Sequence, residues 1–206
     1  MNAFTPSVIT PVAALFVRPD SFYKSMQSVD CWDIGRDARQ WPGGSPLIAH
    51  PPCRAWGRLR HMAKPRDDEK ALAIFAVEQV RRWGGVVEHP AASTLWQACG
   101  LPEPGKVDTF GGWTLPILQS SWGHRADKAT RLYIVGCPAR NVPDMPYVMG
   151  QAPCIIGTSG RRADGSRLRA GDQGFRPEVS KAEREHTPPA LCAWLVELAR
   201  RCRVNQ

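Results

Sequence analysis

PRDDEKALAIFAVEQVRRWGGVVEHP, residues 65–90, is the stretch on which the fold turns. Leu72, Phe75, Ala76, Gln79 and Val80 recur at helical spacing, which lays an apolar stripe along one face. Pro65 suits a first turn, and Asp67, Asp68 and Glu69 favour the positive end of the dipole. The spacing therefore predicts a helix over Pro65–Trp83, stopped by Gly84 and Gly85. Val86–Glu88 follows at once as a strand, and the apolar run Pro46–His50 precedes the helix as another. Strand–helix–strand units build parallel sheets whose ligands sit at the carboxyl ends of the strands.

Working outward, Val12 to Val17 is an unbroken apolar run, so Pro11–Val17 reads as a buried strand. Asp20 is placed to cap a helix through Met26, and Val29–Asp33 reads as a second strand. Leu115–Ser121 and Leu132–Val135 read as later strands. Residues 137–178 are rich in Pro, Gly and Arg, which predicts irregular structure. Thr187 is expected to cap a closing helix with Pro188 at its first position and an apolar stripe of Leu191, Trp194, Leu195 and Leu198. The expected fold is α/β and Rossmann-like: one domain over 1–206, with a mostly parallel sheet, flanking helices, a loose ten-residue leader and an irregular segment before the closing helix.

No run of about 18 apolar residues exists, so no membrane span is expected. No secretory signal is visible. The seven cysteines are odd in number and include no CxxC pair, which argues against a disulfide framework and a metal site. A reducing cytoplasm is the expected location. The net charge of +8 points to a polyanionic partner.

Three motifs fall at expected strand ends. His50-Pro51-Pro52-Cys53-Arg54 puts a thiol on a stiff loop, with Arg54, Arg58, Arg60, Lys64 and Arg66 close in sequence. Positive neighbours would lower the thiol's pKa; the plain alternative is a small buried cysteine. Glu88-His89-Pro90 offers a carboxylate to the edge of a base, or simply a solvated glutamate. Ser121 to Arg131, containing Arg125 and Lys128, can clamp a phosphate, or be an ordinary charged loop.

Pro51-Pro52-Cys53 resembles the PPC nucleophile motif of DNA cytosine-C5 methyltransferases, Glu88 their ENV-type glutamate, and Trp122-Gly123 through Arg131 their final QxRxR motif. The resemblance covers roughly residues 12–136, and implies a methyltransferase-type Rossmann-like fold with 137–186 as a shortened DNA-contacting insert. It implies that a cytosine in double-stranded DNA is flipped into a pocket. Cys53 would add to carbon 6, Glu88 would hold the base, and Arg131 would complete the catalytic set. Carbon 5 would then take a methyl or other one-carbon group, with S-adenosyl-L-methionine as the donor. Phe16, Asp33 and Pro51 would face that cofactor. Pro52, Arg54, Arg58, His89, Arg125, Lys128, Arg161 and Arg162 would face DNA.

The family's glycine-rich cofactor loop is replaced by Phe16-Val17-Arg18-Pro19-Asp20, without glycine. Only about fifty residues stand where the family carries a large recognition domain, so low sequence specificity is expected. The compact design resembles a phage or prophage product acting as a monomer in the bacterial host cytoplasm. The alternatives are a noncatalytic DNA-binding relative, antirestriction or regulatory, and a C5 transferase acting on free pyrimidine nucleotides.

Overall fold

The computed structural model describes residues 11–157 and 160–204; the expected leader lies outside them. Six strands form one sheet: β1 (Val12–Leu15), β2 (Val29–Trp32), β3 (Leu47–Ala49), β4 (Gly85–Pro90), β5 (Trp113–Leu118) and β6 (Ala129–Val135). Their order is β2-β1-β3-β4-β6-β5. β1 is parallel to β2 and β3, and β3 to β4. β6 runs antiparallel to both its neighbours, β4 and β5, so it alone opposes the common direction. The sheet is mixed and mostly parallel, compatible with the Rossmann-like α/β class expected from residues 65–90.

Strand parity sorts the core into two layers. Ala13, Leu15, Leu47, Ala49, Val87 and Tyr133 pack with Ala73, Ala76, Val77 and Val80 of α1 (Glu69–Trp83). Val12, Ala14, Ile48, Val86, Leu132 and Ile134 pack with Leu191, Leu195 and Leu198 of α4 (Pro189–Arg201). Burial on both faces explains why β1 reads as a continuous apolar run rather than an alternating one. Gly85 opens β4 at φ +132°, where an added Cβ would lie 1.9 Å from the Leu47 carbonyl oxygen. Only glycine permits β3 and β4 to approach there.

Several boundaries differ from expectation. α1 begins at Glu69 rather than Pro65, because residues 66–69 close a tight turn in which the Glu69 N–H donates to the Arg66 carbonyl at 3.2 Å. Asp20 caps nothing: a 3-10 turn forms over Phe22–Ser25 behind Ser21, and Asp20 is held by Arg18 and His186. Thr187 lies one residue outside the cap of α4, which Pro188 occupies. Pro189 bars the residue before it from helical angles, so the helix starts at Pro189. β5 stops at Leu118, because Gln119–Trp122 tightens into a 3-10 turn closed by Gly123 at φ +93°.

Two short helices, α2 (Leu95–Ala98) and α3 (Lys181–Glu185), complete the molecule. Within 137–178 the structure is largely irregular, with a 3-10 turn at Ala139–Asn141 and isolated bridges that include Arg161 to Arg167. No helix among the described residues is long and apolar enough to cross a membrane.

Candidate functional site

The carboxyl ends of β3 and β4 lie side by side because the two strands pair in parallel register, Ile48 with Val86 and Ala49 with Val87. His50 continues the parity of Ile48, and Glu88 that of Val86. Both side chains therefore emerge on the α4 face. His50 Nδ1 and Glu88 Oε2 are 2.9 Å apart, and the other ring nitrogen of His50 is 3.0 Å from the Tyr23 hydroxyl. Gln119 Nε2 donates to Glu88 Oε1 at 3.0 Å and to Thr130 Oγ1 at 3.1 Å. A continuous polar chain, Tyr23–His50–Glu88–Gln119–Thr130, thus runs through an apolar layer.

Burial alone would push the Glu88 carboxylate up. The hydrogen bond with His50 and the nearby charge of Lys128 outweigh it and hold Glu88 down at about 2. It is therefore an ionised acceptor at neutral pH.

Pro51 and Pro52 lift the chain over the strand ends, and the Cys53 carbonyl then accepts from Trp56 and Gly57 N–H groups at 3.0 and 2.8 Å. This turn splits the loop between the two faces. Arg54 goes to the α1 side, where its Nε lies 2.8 Å from the fully buried Glu69 carboxylate. Cys53 stays on the Glu88 side as an exposed residue. Its thiol is pushed up, first by partial burial and then by the charge of Glu88; Lys128 opposes them. The lowering expected from Arg54, Arg58, Arg60, Lys64 and Arg66 does not prevail: Arg54 interacts with the thiolate charge but is engaged mainly by Glu69, and burial together with Glu88 outweighs the cations. Lys128, half-buried at the entry to β6, is the cation that acts on both Cys53 and Glu88.

Arg131, expected in the catalytic set with Cys53 and Glu88, lies on the other face of the sheet from Glu88. β6 pairs Arg131 with His89 and Leu132 with Glu88, and paired residues share a face. Arg131 therefore projects on the α1 face, bonded to Glu103 at 3.2 Å and 5.9 Å from the Trp96 ring centre. Thr130 takes the place on the Glu88 side. His89, expected at DNA, is fully buried against Trp96. Burial lowers its pKa to about 4, against the opposing pull of the Glu88 charge and the Pro52 carbonyl.

The expected nucleic-acid contacts divide. Arg125 pairs with Glu183 at 2.8 Å and Arg162 with Asp172 at 2.6 Å, while Arg58 and Arg161 are exposed. Pro51 is buried and Pro52 half-buried in the loop.

Two of the residues expected at S-adenosylmethionine, Phe16 and Asp33, are engaged by other parts of the chain. Phe16 turns the chain after β1 at φ +60°, and its ring packs edge-on to Phe75. Arg18 spans to Asp20 at 2.9 Å and Glu185 at 3.0 Å, which ties this loop to α3. Asp33 is pulled below the usual carboxylate range by Lys24, and its Oδ1 accepts from the Gly35 and Arg36 N–H groups. Both Asp33 oxygens therefore have partners within the chain. Among the described residues no group of three or more His, Cys, Asp or Glu side chains could hold a metal ion.

Sequence reasoning missed Tyr23, Gln119 and Thr130, and gave His50 no role. Strand parity alone would have placed His50 with Glu88; Tyr23 and Gln119 arrive from distant loops. Comparison of the chain with protein-family models and with curated proteins finds no match.

Proposed function

We propose that the protein is a DNA base-modifying enzyme acting at carbon 5 of a flipped-out cytosine through a covalent Cys53 adduct. The observation that carries this reading is the convergence of the Cys53 thiol, the ionised Glu88 carboxylate and the Lys128 ammonium at the ends of two adjacent parallel strands. An ionised carboxylate accepts hydrogen bonds only, so Glu88 would take the 4-amino group of cytosine and reject the 4-oxo group of thymine. His50 and Gln119 fix its two oxygens. The sulfur of Cys53, after losing its proton to solvent, forms a bond to ring carbon 6. The displaced π electrons make carbon 5 nucleophilic, with Lys128 offsetting the charge that accumulates. Carbon 5 would take the one-carbon group from its donor, whose carrier leaves with the electron pair of the broken bond; the carbon-5 proton is then lost to solvent, and the carbon–sulfur bond breaks as the ring double bond returns, releasing the Cys53 thiolate. The net charge of +8 and the exposed Arg58 and Arg161 support double-stranded DNA as the partner.

The test is trapping with duplex DNA carrying 5-fluorocytosine, with and without S-adenosylmethionine, together with nucleoside mass spectrometry of co-expressed DNA. A covalent adduct that maps to Cys53 and disappears in Cys53→Ser is expected. Unmodified DNA and no adduct in any arm would overturn the proposal. A noncatalytic DNA-binding role is favoured by one feature: both Glu88 oxygens already accept internal hydrogen bonds. On that reading DNA affinity is salt-dependent and indifferent to Cys53→Ser.

A further inference from the structure

A second concavity lies at the opposite end of the sheet, where Gly85 of β4 pairs with Val135 of β6. It is a cleft of about 780 Å³ between the last turn of α1, the loop before β5, the end of β6 and the tail after α4. That volume falls within the range of small-ligand sites, roughly 300–1,000 Å³. Its cations come from three separate segments: Arg81 and Arg82, Lys106, and Arg203; no lining residue is acidic.

Helix-dipole compensation accounts for arginines in the last turn of α1. The end of α4 likewise accounts for Arg203, but no helix end accounts for Lys106. Nor does internal pairing cancel the charge. Asp108 lies behind the cleft, but it accepts from the Tyr133 hydroxyl at 2.7 Å and stands 3.6 Å from Arg81, so it balances that guanidinium alone. Arg203 donates to the carbonyls of Arg200 and Cys202 at the end of α4. Arg82 and Lys106 are exposed, and neither is in an ion pair among the described residues.

Beside these cations stands an aromatic platform. Phe110 lines the cleft and is 52% exposed. Arg81 lies 4.3 Å from its ring centre and is itself pinned by the Tyr133 hydroxyl and the Cys99 carbonyl. An exposed ring at the cleft, fixed on one side by a pinned guanidinium, offers a surface on which a flat base can stack.

We propose that this cleft binds a phosphorylated nucleoside, with the base on Phe110 and the phosphate between Arg82 and Lys106. Duplex DNA would need an extended surface, whereas this is a concavity of single-nucleotide size. The site is independent of the Cys53 chemistry, so a purine nucleotide is the right probe. Titration calorimetry on the full chain would compare AMP, adenosine and inorganic phosphate. AMP is expected to bind at least about tenfold tighter than either part, since stacking and charge-assisted hydrogen bonds act together. Lys106→Glu and Arg82→Glu, both at exposed positions, should each weaken AMP by about tenfold or more, and Phe110→Ala by about tenfold. Cys53→Ser should leave it unchanged. Absence of AMP binding by the folded chain would overturn the proposal. So would AMP binding that Lys106→Glu and Arg82→Glu leave intact, or an affinity for phosphate equal to that for AMP. Loss of duplex DNA binding in the two charge variants, without any AMP binding, would reassign the cleft to the DNA backbone and also overturn it.

Discussion

Cys53 sits between two opposing charges, and its reactivity should report both. Glu88 raises the thiol and Lys128 lowers it. Glu88→Gln is therefore expected to speed alkylation of Cys53 by iodoacetamide near pH 8, and Lys128→Met to slow it, each read by peptide mass spectrometry. Equal rates in both variants would mean that the two groups do not act on the sulfur. The neighbouring buried histidine sets the acid limit of stability. His89 falls to about 4 in the folded chain from an ordinary 6.5, so the unfolded state binds the extra proton between those values. Stability from this group is complete above pH 6.5 and is lost as pH falls toward 4, by about 3 kcal/mol at 1.4 kcal/mol per unit. Glu88, depressed to about 2 from 4.5, adds a second loss that begins below pH 4.5. Urea unfolding at stepped pH should show both slopes, and His89→Gln should flatten the first. Arg131 marks what sequence does not show at this scale. Its motif position was plain, but its face depends on the pairing of β6 with β4, and that register is a long-range property.

Among the elements, strands β1 to β4 and helix α1 were legible because each carries its own period or apolar run. Their ends were less so, since caps and local turns decide them: residues 66–69 close a tight turn ahead of α1, and Pro189 delays α4. The polar chain behind Glu88 was invisible, because Tyr23 and Gln119 meet it only after the 3-10 turns have folded. The Cys53 loop is anchored through Arg54 on Glu69. Glu69→Ala should cost about 1–3 kcal/mol, discounted for the exposure of Arg54. It should also raise amide hydrogen exchange over 50–57 while leaving β1 protected. The β3–β4 approach is stricter. Gly85→Ala puts a methyl group into the Leu47 carbonyl and should lower stability by about 3 kcal/mol or more in denaturant unfolding. Tolerance of alanine there would mean that the strands can part at no cost, and with them the groups at their carboxyl ends.

For the molecule as a whole, the surplus of positive charge governs encounter rather than fold. Affinity for duplex DNA should fall steeply between 50 and 200 mM salt. Arg58→Glu and Arg161→Glu should each reduce the slope of log K against log salt by about one, as phosphate contacts do. Arg125→Glu should act less through that slope than through loss of its pair with Glu183. The order in which the layers are laid down has its own consequence. α1 lies in the middle of the chain and can cover its side of the sheet early. The other side waits for Leu191, Leu195 and Leu198 of α4, each fully buried against strands made more than fifty residues before. During synthesis that half-covered sheet would present a broad oily surface to the cell, and a chaperone or a slow ribosome would be its only shield until the last helix arrives.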